Sequence, residues 1–178
     1  GLVNNILKLS ELEAPDFNFD NEIVNINLFI KNIVDIFKKK FNESNIKINI
    51  NLPSEKLKVE ANREKLKQVL LNLLDNAHKF SEKNQIIEIG AEKISDKIKV
   101  WIKDNGIGIS ENELDNIWER FYKVDKARTP SQKGSGLGLS IVKKIIEQNG
   151  GKVFADSSLG KGSTFGFLLP VKAEIRGD

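Results

Sequence analysis

Residues 62–80 read NREKLKQVLLNLLDNAHKF. Apolar side chains return at Leu66, Val69, Leu70, Leu73, Leu74 and Ala77, a three-and-four spacing that predicts one long helix with a leucine-rich buried face. Asn62 supplies a side-chain oxygen where the first helical N–H groups need an acceptor, so it predicts the cap. A face this apolar requires a second layer to cover it. The same helix carries Asn72 and Asn76, four residues apart and on one side, with Lys79 three beyond. Asparagine inside a helix costs roughly half a kcal/mol. Two explanations stay open for this polar strip. It is either a solvated face, or a metal-and-phosphate site in which amide oxygens suit a hard cation such as Mg2+ and the lysine suits phosphate.

Outward from this helix, strand and helix signals alternate along the chain. Residues 1–13 place Leu2, Ile6, Leu9 and Leu12 at near-heptad spacing, which predicts an amphipathic helix ended by Pro15. A short strand is expected at 22–26. From Leu28 to Phe41 the pattern is helical, with Ile30, Ile33, Val34, Phe37 and Phe41 on one face. Strands are predicted at 46–50 and 56–59, and after the long helix at 86–92 and 97–103. A short helix near 111–119 precedes a polar segment, 123–136, that is a candidate lid loop. A helix over 137–148 ends at Gly150-Gly151. Strands at 152–157 and 163–169 complete the order, and Pro170 stops the last. This order predicts an α/β two-layer sandwich: one mixed, largely antiparallel sheet covered by helices on one face.

Composition narrows the function classes. The chain has 178 residues, 39% hydrophobic and 30% charged, which fits a soluble globular domain. No cysteine is present, so disulfides, thiolate metal sites and cysteine nucleophiles are excluded. A single histidine, His78, excludes a multi-histidine zinc site. The net charge of +3 is spread among acids and asparagines, without the basic face that nucleic-acid binding requires, so no nucleic-acid partner is expected. No apolar run reaches membrane-spanning length. The chain starts at Gly1 and contains no methionine, so it is expected to be a fragment of a longer protein.

Three further stretches carry candidate chemistry. DNGIGI, residues 104–109, follows the strand IKVWIK. Asn-Gly between apolar runs is a hairpin signal, yet Asp104 at a strand end is also a candidate ligand group. KGSGLGLSIVKKI, 133–145, runs a glycine-rich loop into a helix, where bare N–H groups and the helix dipole favour an anion. Its spacing matches neither the dinucleotide fingerprint nor the P-loop. In WERFYKVD, 118–125, Trp118 and Phe121 are expected in the core or as hinges of the following loop. Lys123, Lys126 and Arg128 add positive charge near the glycines.

LLNLLDNAHKFS, DNGIGI, WERFYKVDKAR, GSGLGLSIVKKI and GKGSTF stand in the order of the N, first glycine, F, second glycine and third glycine boxes. The chain thus resembles the catalytic and ATP-binding domain of bacterial two-component sensor histidine kinases, over about residues 21–172. Residues 1–20 look like the end of the preceding dimerisation and phosphotransfer helix plus a linker, and 173–178 like a tail.

The resemblance implies a Bergerat fold binding ATP or ADP with Mg2+. It implies Asn76 as the metal ligand, Asn72 and Lys79 near the phosphates, and Phe80 lining the pocket. Asp104 would accept the adenine amino group, with Thr164 beside it. Gly106 and Gly108 would approach base and sugar, with Ile109 following them. Tyr122, Lys123 and Arg128 would reach the nucleotide, and Gly134, Gly136, Leu137, Gly138 and Leu139 would shape the phosphate loop.

The implied reaction is transfer of the γ-phosphoryl to a histidine on a separate dimerisation domain, with a response regulator as the downstream partner. His78 lacks the context of such an acceptor and is expected to be a packing residue. The implied parent is a homodimer, cytoplasmic at this domain and with a membrane anchor left open. This piece is expected to be a monomer without membrane contact. Related gyrase and mismatch-repair ATPases carry a glutamate four residues before the metal asparagine. Here that position is Asn72, a poor base, which weighs against hydrolysis. The alternatives are an ATPase or anti-sigma-type serine kinase of the same superfamily, or a degenerate module that only binds a partner. Lys123 replaces the usual arginine, Lys133 a usual glycine and Phe80 a usual tyrosine.

Overall fold

Two asparagines start the two long helices. Asn25 Oδ1 accepts from the Leu28 N–H at 3.2 Å and opens α1, Ile26–Glu43. Asn62 Oδ1 accepts from the Lys65 N–H at 2.9 Å and opens α2, Arg63–Phe80. A cap of this kind stabilises a helix by about 1 kcal/mol. In α1 the buried stripe is Ile26, Phe29, Ile30, Ile33, Val34, Phe37 and Phe41, so the helix begins two residues before the apolar pattern alone predicts. In α2 the six residues expected inside are the six that are buried. The computed structural model describes residues 20–81, 84–124 and 135–172. The expected helix at 1–13 and the tail at 173–178 lie outside the described residues.

The strands are β1, Glu22–Asn25; β2, Lys47–Asn51; β3, Lys58–Ala61; β4, Ile86–Ile94; β5, Lys97–Asp104; β6, Lys152–Ser158; and β7, Gly162–Pro170. The short helix α3 is Glu111–Leu114 and α4 is Gly138–Gln148. Five strands form the main sheet in the order β2-β4-β5-β7-β6. β2 and β4 are parallel, and every other neighbouring pair is antiparallel. The expectation of a single sheet is corrected: β1 and β3 pair with each other in a separate two-stranded sheet. These four-residue strands run directly into the helix caps at Asn25 and Asn62, so neither extends far enough to join the larger ladder. Val24 and Val59 face each other in it, both fully buried.

One face of the main sheet presents Ile87, Ile89, Ala91, Ile98, Val100, Ile102, Phe165, Phe167 and Leu169 to the helices, all buried. α2 lies across β5 and against α4, α4 covers β6, and α1 packs on α2 and β2. His78 faces α1. Its ring meets Phe41 edge-on at 5.3 Å and its Nε2 lies 2.9 Å from Ser44 Oγ. Burial first, and then Lys40, push its pKa down. It is a packing histidine of the α1–α2 interface.

The opposite face carries no helix among the described residues. There Trp101 and Phe154 lie flat over glycines. A Cβ on Gly90 would stand 2.2 Å from the Trp101 ring, and one on Gly166 would stand 2.4 Å from the Phe154 ring. Lys99 Nζ sits over both rings, at 5.5 and 5.4 Å, and 3.3 Å from Glu92.

Candidate functional site

β5 brings its alternation of buried residues to an end on a carboxylate. Ile98, Val100 and Ile102 point inward, and the next inward position is Asp104, only 3% exposed. Such a group is costly to bury unless it is bonded. Its Oδ1 accepts the Gly106 N–H at 2.9 Å and the Ser163 N–H at 3.3 Å. Burial pushes the Asp104 pKa up, and these two N–H groups pull it back in part. The DNG stretch is therefore not a hairpin. β5 is flanked by β4 and β7, and the chain after Asp104 leaves the sheet toward α3.

The glycines of this loop are required by the protein's own backbone. A Cβ on Gly106 would stand 2.2 Å from the Phe80 carbonyl oxygen, at the end of α2. Gly108 has φ +67 and would place a Cβ 2.0 Å from the Ser158 carbonyl oxygen. The loop is thus pressed between the end of α2 and the β6–β7 turn. The base and sugar contact implied by resemblance is a separate matter, because these close neighbours already demand glycine. At the end of the loop, the Ile109 N–H donates to Ser157 Oγ at 2.8 Å.

Register corrects one expected site residue. Ser163, not Thr164, stands opposite Asp104, while Thr164 pairs with Lys103. Side chains alternate between faces, so Thr164 points to the uncovered side of the sheet. Counting by twos back from the buried Phe165 would have found Ser163. Ser163 is itself paired with Ser157 of β6, and their Oγ atoms lie 2.9 Å apart. Asp104, Ser163 and Ser157 thus form one polar row across three strands at the end of an otherwise apolar inner face.

α2 supplies the facing wall. Asn72, Asn76, Lys79 and Phe80 are all half-buried on it. Asn72 Nδ2 is buried without a hydrogen-bond partner among the described residues, and Asn72 Oδ1 lies 3.6 Å from where a Cβ on Gly138 would stand. The first turn of α4 therefore closes on Asn72, and glycine leaves space there. Lys79 Nζ sits 4.7 Å over the Phe80 ring. Burial pushes the Lys79 pKa down, Asp75 counters it, and Lys123 adds a further downward push. Two neighbouring ammonium charges of this kind suit a polyanion beside them. Leu137 is buried at the start of α4 and Leu139 half-buried just inside it.

The aromatic stretch divides. Trp118 packs edge-on against Phe165, with centroids 6.1 Å apart. Phe121 corrects the core expectation: it is 56% exposed, with φ +62. That left-handed backbone is fixed by Gly136, whose carbonyl accepts the Phe121 N–H at 2.9 Å. A Cβ on Gly136 would stand 2.8 Å from Phe121 Cα, and Gly136 itself has φ +72. The two residues clamp the chain on either side of the polar segment. The Tyr122 hydroxyl donates to Glu113 Oε2 at 2.6 Å, and that bond pushes the phenol pKa up. Arg128 and Gly134, together with Lys126 and Lys133, lie outside the described residues.

The donor set fits a nucleotide–magnesium pair. Among the described residues no group of three or more histidines, cysteines or carboxylates could hold a metal by itself. Mg2+ bound through phosphate oxygens and waters needs only one or two protein oxygens. An amide at Asn76, beside the orphaned Asn72 and the desolvated Lys79, matches that need.

The family model described as "Histidine kinase-, DNA gyrase B-, and HSP90-like ATPase" matches residues 61–173. The chain is 38% identical to sensor histidine kinase WalK of Bacillus subtilis (strain 168) over 99% of its length, and it spans 29% of that relative. Among solved structures, full-length ShkA in complex with AMPPNP superposes with a TM-score of 0.85 at 27% identity, covering 97% of this chain and 35% of the other. Histidine kinase ThkA in complex with response regulator protein TrrA gives a TM-score of 0.79 at 31% identity, covering 98% of this chain and 48% of the other. Together with the buried acid, the polar strip on α2 and the glycine-bounded loop, these likenesses place the chain in the histidine kinase-, DNA gyrase B- and HSP90-like ATPase family.

Proposed function

We propose that this chain is the catalytic and ATP-binding part of a sensor histidine kinase, passing the γ-phosphoryl group of ATP to a histidine on a separate dimerisation domain. The observation that carries the reading is the pairing of opposite demands across one cleft. A buried carboxylate, Asp104, ends one wall, and two mutually repelling lysines, Lys79 and Lys123, mark the other. Adenosine triphosphate is a ligand with an amino donor at one end and a polyanion at the other. The likeness to WalK and to the AMPPNP-bound ShkA supports the same assignment.

In this reading Asp104 accepts from the adenine amino group through Oδ2, since Oδ1 is held by backbone. Lys79 and Lys123 neutralise phosphate oxygens, joined by Arg128. Asn72 and Asn76 approach the phosphates, and Asn76 is the residue that holds Mg2+. The ion supplies neutralisation of charge on the transferred group. The loop that includes Gly134, Gly136, Leu137, Gly138 and Leu139 borders the phosphate chain. A histidine ring nitrogen of the partner domain forms the new bond to the γ-phosphorus as the bond to the β–γ bridging oxygen breaks, and ADP leaves. Catalysis is then positioning and charge neutralisation. Asn72 gives no base for water, so transfer is favoured over hydrolysis.

The downstream partner is the receiver domain of a response regulator, by likeness to the ThkA–TrrA complex. The parent is a homodimer, this piece is a monomer, and the domain works in the cytoplasm. No described helix is long and apolar enough to cross a membrane.

Calorimetric titration of ATP, with and without Mg2+, tests the reading. Saturable binding strengthened by Mg2+, weakened by Asn76→Asp and weakened most by Asp104→Asn is expected. Label from γ-phosphate should then appear on a separate histidine-bearing domain and not on His78. Absence of nucleotide binding in both conditions overturns the assignment.

A further inference from the structure

The hydroxyl of Ser157 touches three groups, and only one arrangement of protons satisfies all of them. The Ile109 N–H, 2.8 Å away, can only donate to it. The Gly162 carbonyl, 2.8 Å away, can only accept from it. A serine hydroxyl has one proton and two lone pairs. Its proton goes to Gly162 and one lone pair goes to Ile109. What remains for Ser163 is the second lone pair, so across the 2.9 Å contact it is Ser163 that donates. Buried hydroxyls are satisfied as a rule, and this arrangement leaves neither serine short.

The consequence falls on Ser163. Its proton is spent on Ser157, so toward its other neighbours it offers lone pairs alone. Ser163 is 8% exposed and stands in register beside Asp104, whose carboxylate also only accepts. In the buried row at the end of β5 and β7, Asp104 and Ser163 therefore stand side by side as two acceptors. We propose that Ser157 is a specificity-determining positioning residue: it fixes Ser163 as an acceptor, and so tunes the base end of the cleft for an exocyclic amino group, which has two hydrogens to give, against a carbonyl at the same ring position.

This inference rests on the nucleotide reading above and adds to it which hydroxyl sets the discrimination. Ser157 touches no base in this account. It acts through Ser163, and secondarily by anchoring Ile109 at the far end of the loop that Asp104 begins. A purely architectural role for Ser157 would weaken all nucleotides alike. A role in proton direction changes the ratio between two nucleotides that differ only at that ring position.

The test compares ATP with inosine triphosphate, which keeps the sugar and phosphates and puts a carbonyl where adenine has its amine. Dissociation constants are measured by calorimetry with Mg2+ on this chain. A cleft built to pair a donor rejects the carbonyl analogue by about 100-fold or more in the unaltered protein. Ser157→Ala lets the Ser163 hydroxyl turn and donate, and the preference is expected to fall about tenfold. Ser157→Thr keeps the hydroxyl on a strand that suits threonine and retains the preference. A preference in Ser157→Ala within about twofold of the unaltered chain overturns the proposal. If Ser157→Ala shows no cooperative thermal transition, Ser163→Ala decides: an unchanged preference there overturns it equally. Failure of the unaltered chain to bind ATP instead removes the nucleotide reading on which the proposal stands.

Discussion

The two faces of the main sheet solve opposite problems. The inner face is apolar row after row, with Phe165, Phe167 and Leu169 of β7 matched to Ile102, Val100 and Ile98 of β5, and three helices cover it. The outer face is polar, with Glu88, Glu92, Lys97, Lys99 and Lys103, and nothing described covers it. Each face carries a departure from its own pattern. On the inner face the departure is polar: Asp104, Ser163 and Ser157 replace apolar residues in the last row. On the outer face it is aromatic: Trp101 and Phe154 lie on glycine backbone under a lysine. The first departure cannot be explained by stability, since buried polar groups cost free energy. The second needs no partner, because glycine, ring and ammonium seal the patch among themselves. A break in pattern marks a site only when the fold gains nothing from it.

That contrast can be broken experimentally. Phe167 is 1% exposed on the inner face, and Phe167→Ala is expected to cost about 4 kcal/mol in denaturant unfolding. An equal loss from Phe154→Ala, expected at about 1.5 kcal/mol, would show that the outer rings belong to the core after all. Asp104→Asn should lower ATP affinity about 100-fold, near 2.7 kcal/mol, while leaving the fold as stable or more so.

The size of that stability change depends on pH. In the folded chain the Asp104 pKa lies above its ordinary 3.8, so the fold holds the proton to higher pH than the unfolded chain does. Its contribution is fully present below pH 3.8 and is lost as pH rises through the raised folded value. Asparagine has no such loss, so the advantage of Asp104→Asn in unfolding free energy grows upward from that pH and then levels off. A flat difference across the range would mean that the carboxylate is not desolvated. The smallest effect is expected at Lys99→Gln, about 0.5 kcal/mol and weaker in high salt, because its ion pair and ring contacts are half exposed.

Much of this was legible in local sequence. Asn62 and the leucine spacing set α2 in both start and face, because caps and periodicity act within a few residues. The Asn25 cap of α1 was missed, because the apolar run begins later, at Leu28, and Asn25 was read as part of a strand. The site glycines were legible as glycines but not as to cause: that Gly106 presses on Phe80 and Gly108 on Ser158 depends on segments distant in the chain. The pairing of β1 with β3 was hidden for the same reason. Ser163 was missed although its parity with Phe165 points inward. Phe121 reads as core by composition, and only the clamp with Gly136 turns it out.

The single parallel pair, β2 with β4, has a consequence for how the molecule assembles. β4 and β5, and likewise β6 and β7, meet through short connections, whereas β2 can reach β4 only after β3 and α2 have been laid between them. Closing so long a loop is entropically slower than zipping a hairpin. The row of Asp104, Ser163 and Ser157 belongs to the antiparallel ladder, and Asn72, Asn76 and Lys79 ride on the crossover. Asp104 and Ser163 lie 59 residues apart in the chain, a longer closure than the one between β2 and β4. The wall proposed for the base is therefore expected to gain protection from amide exchange during refolding after the wall proposed for the phosphates. The cleft then exists only from the moment its slower half arrives.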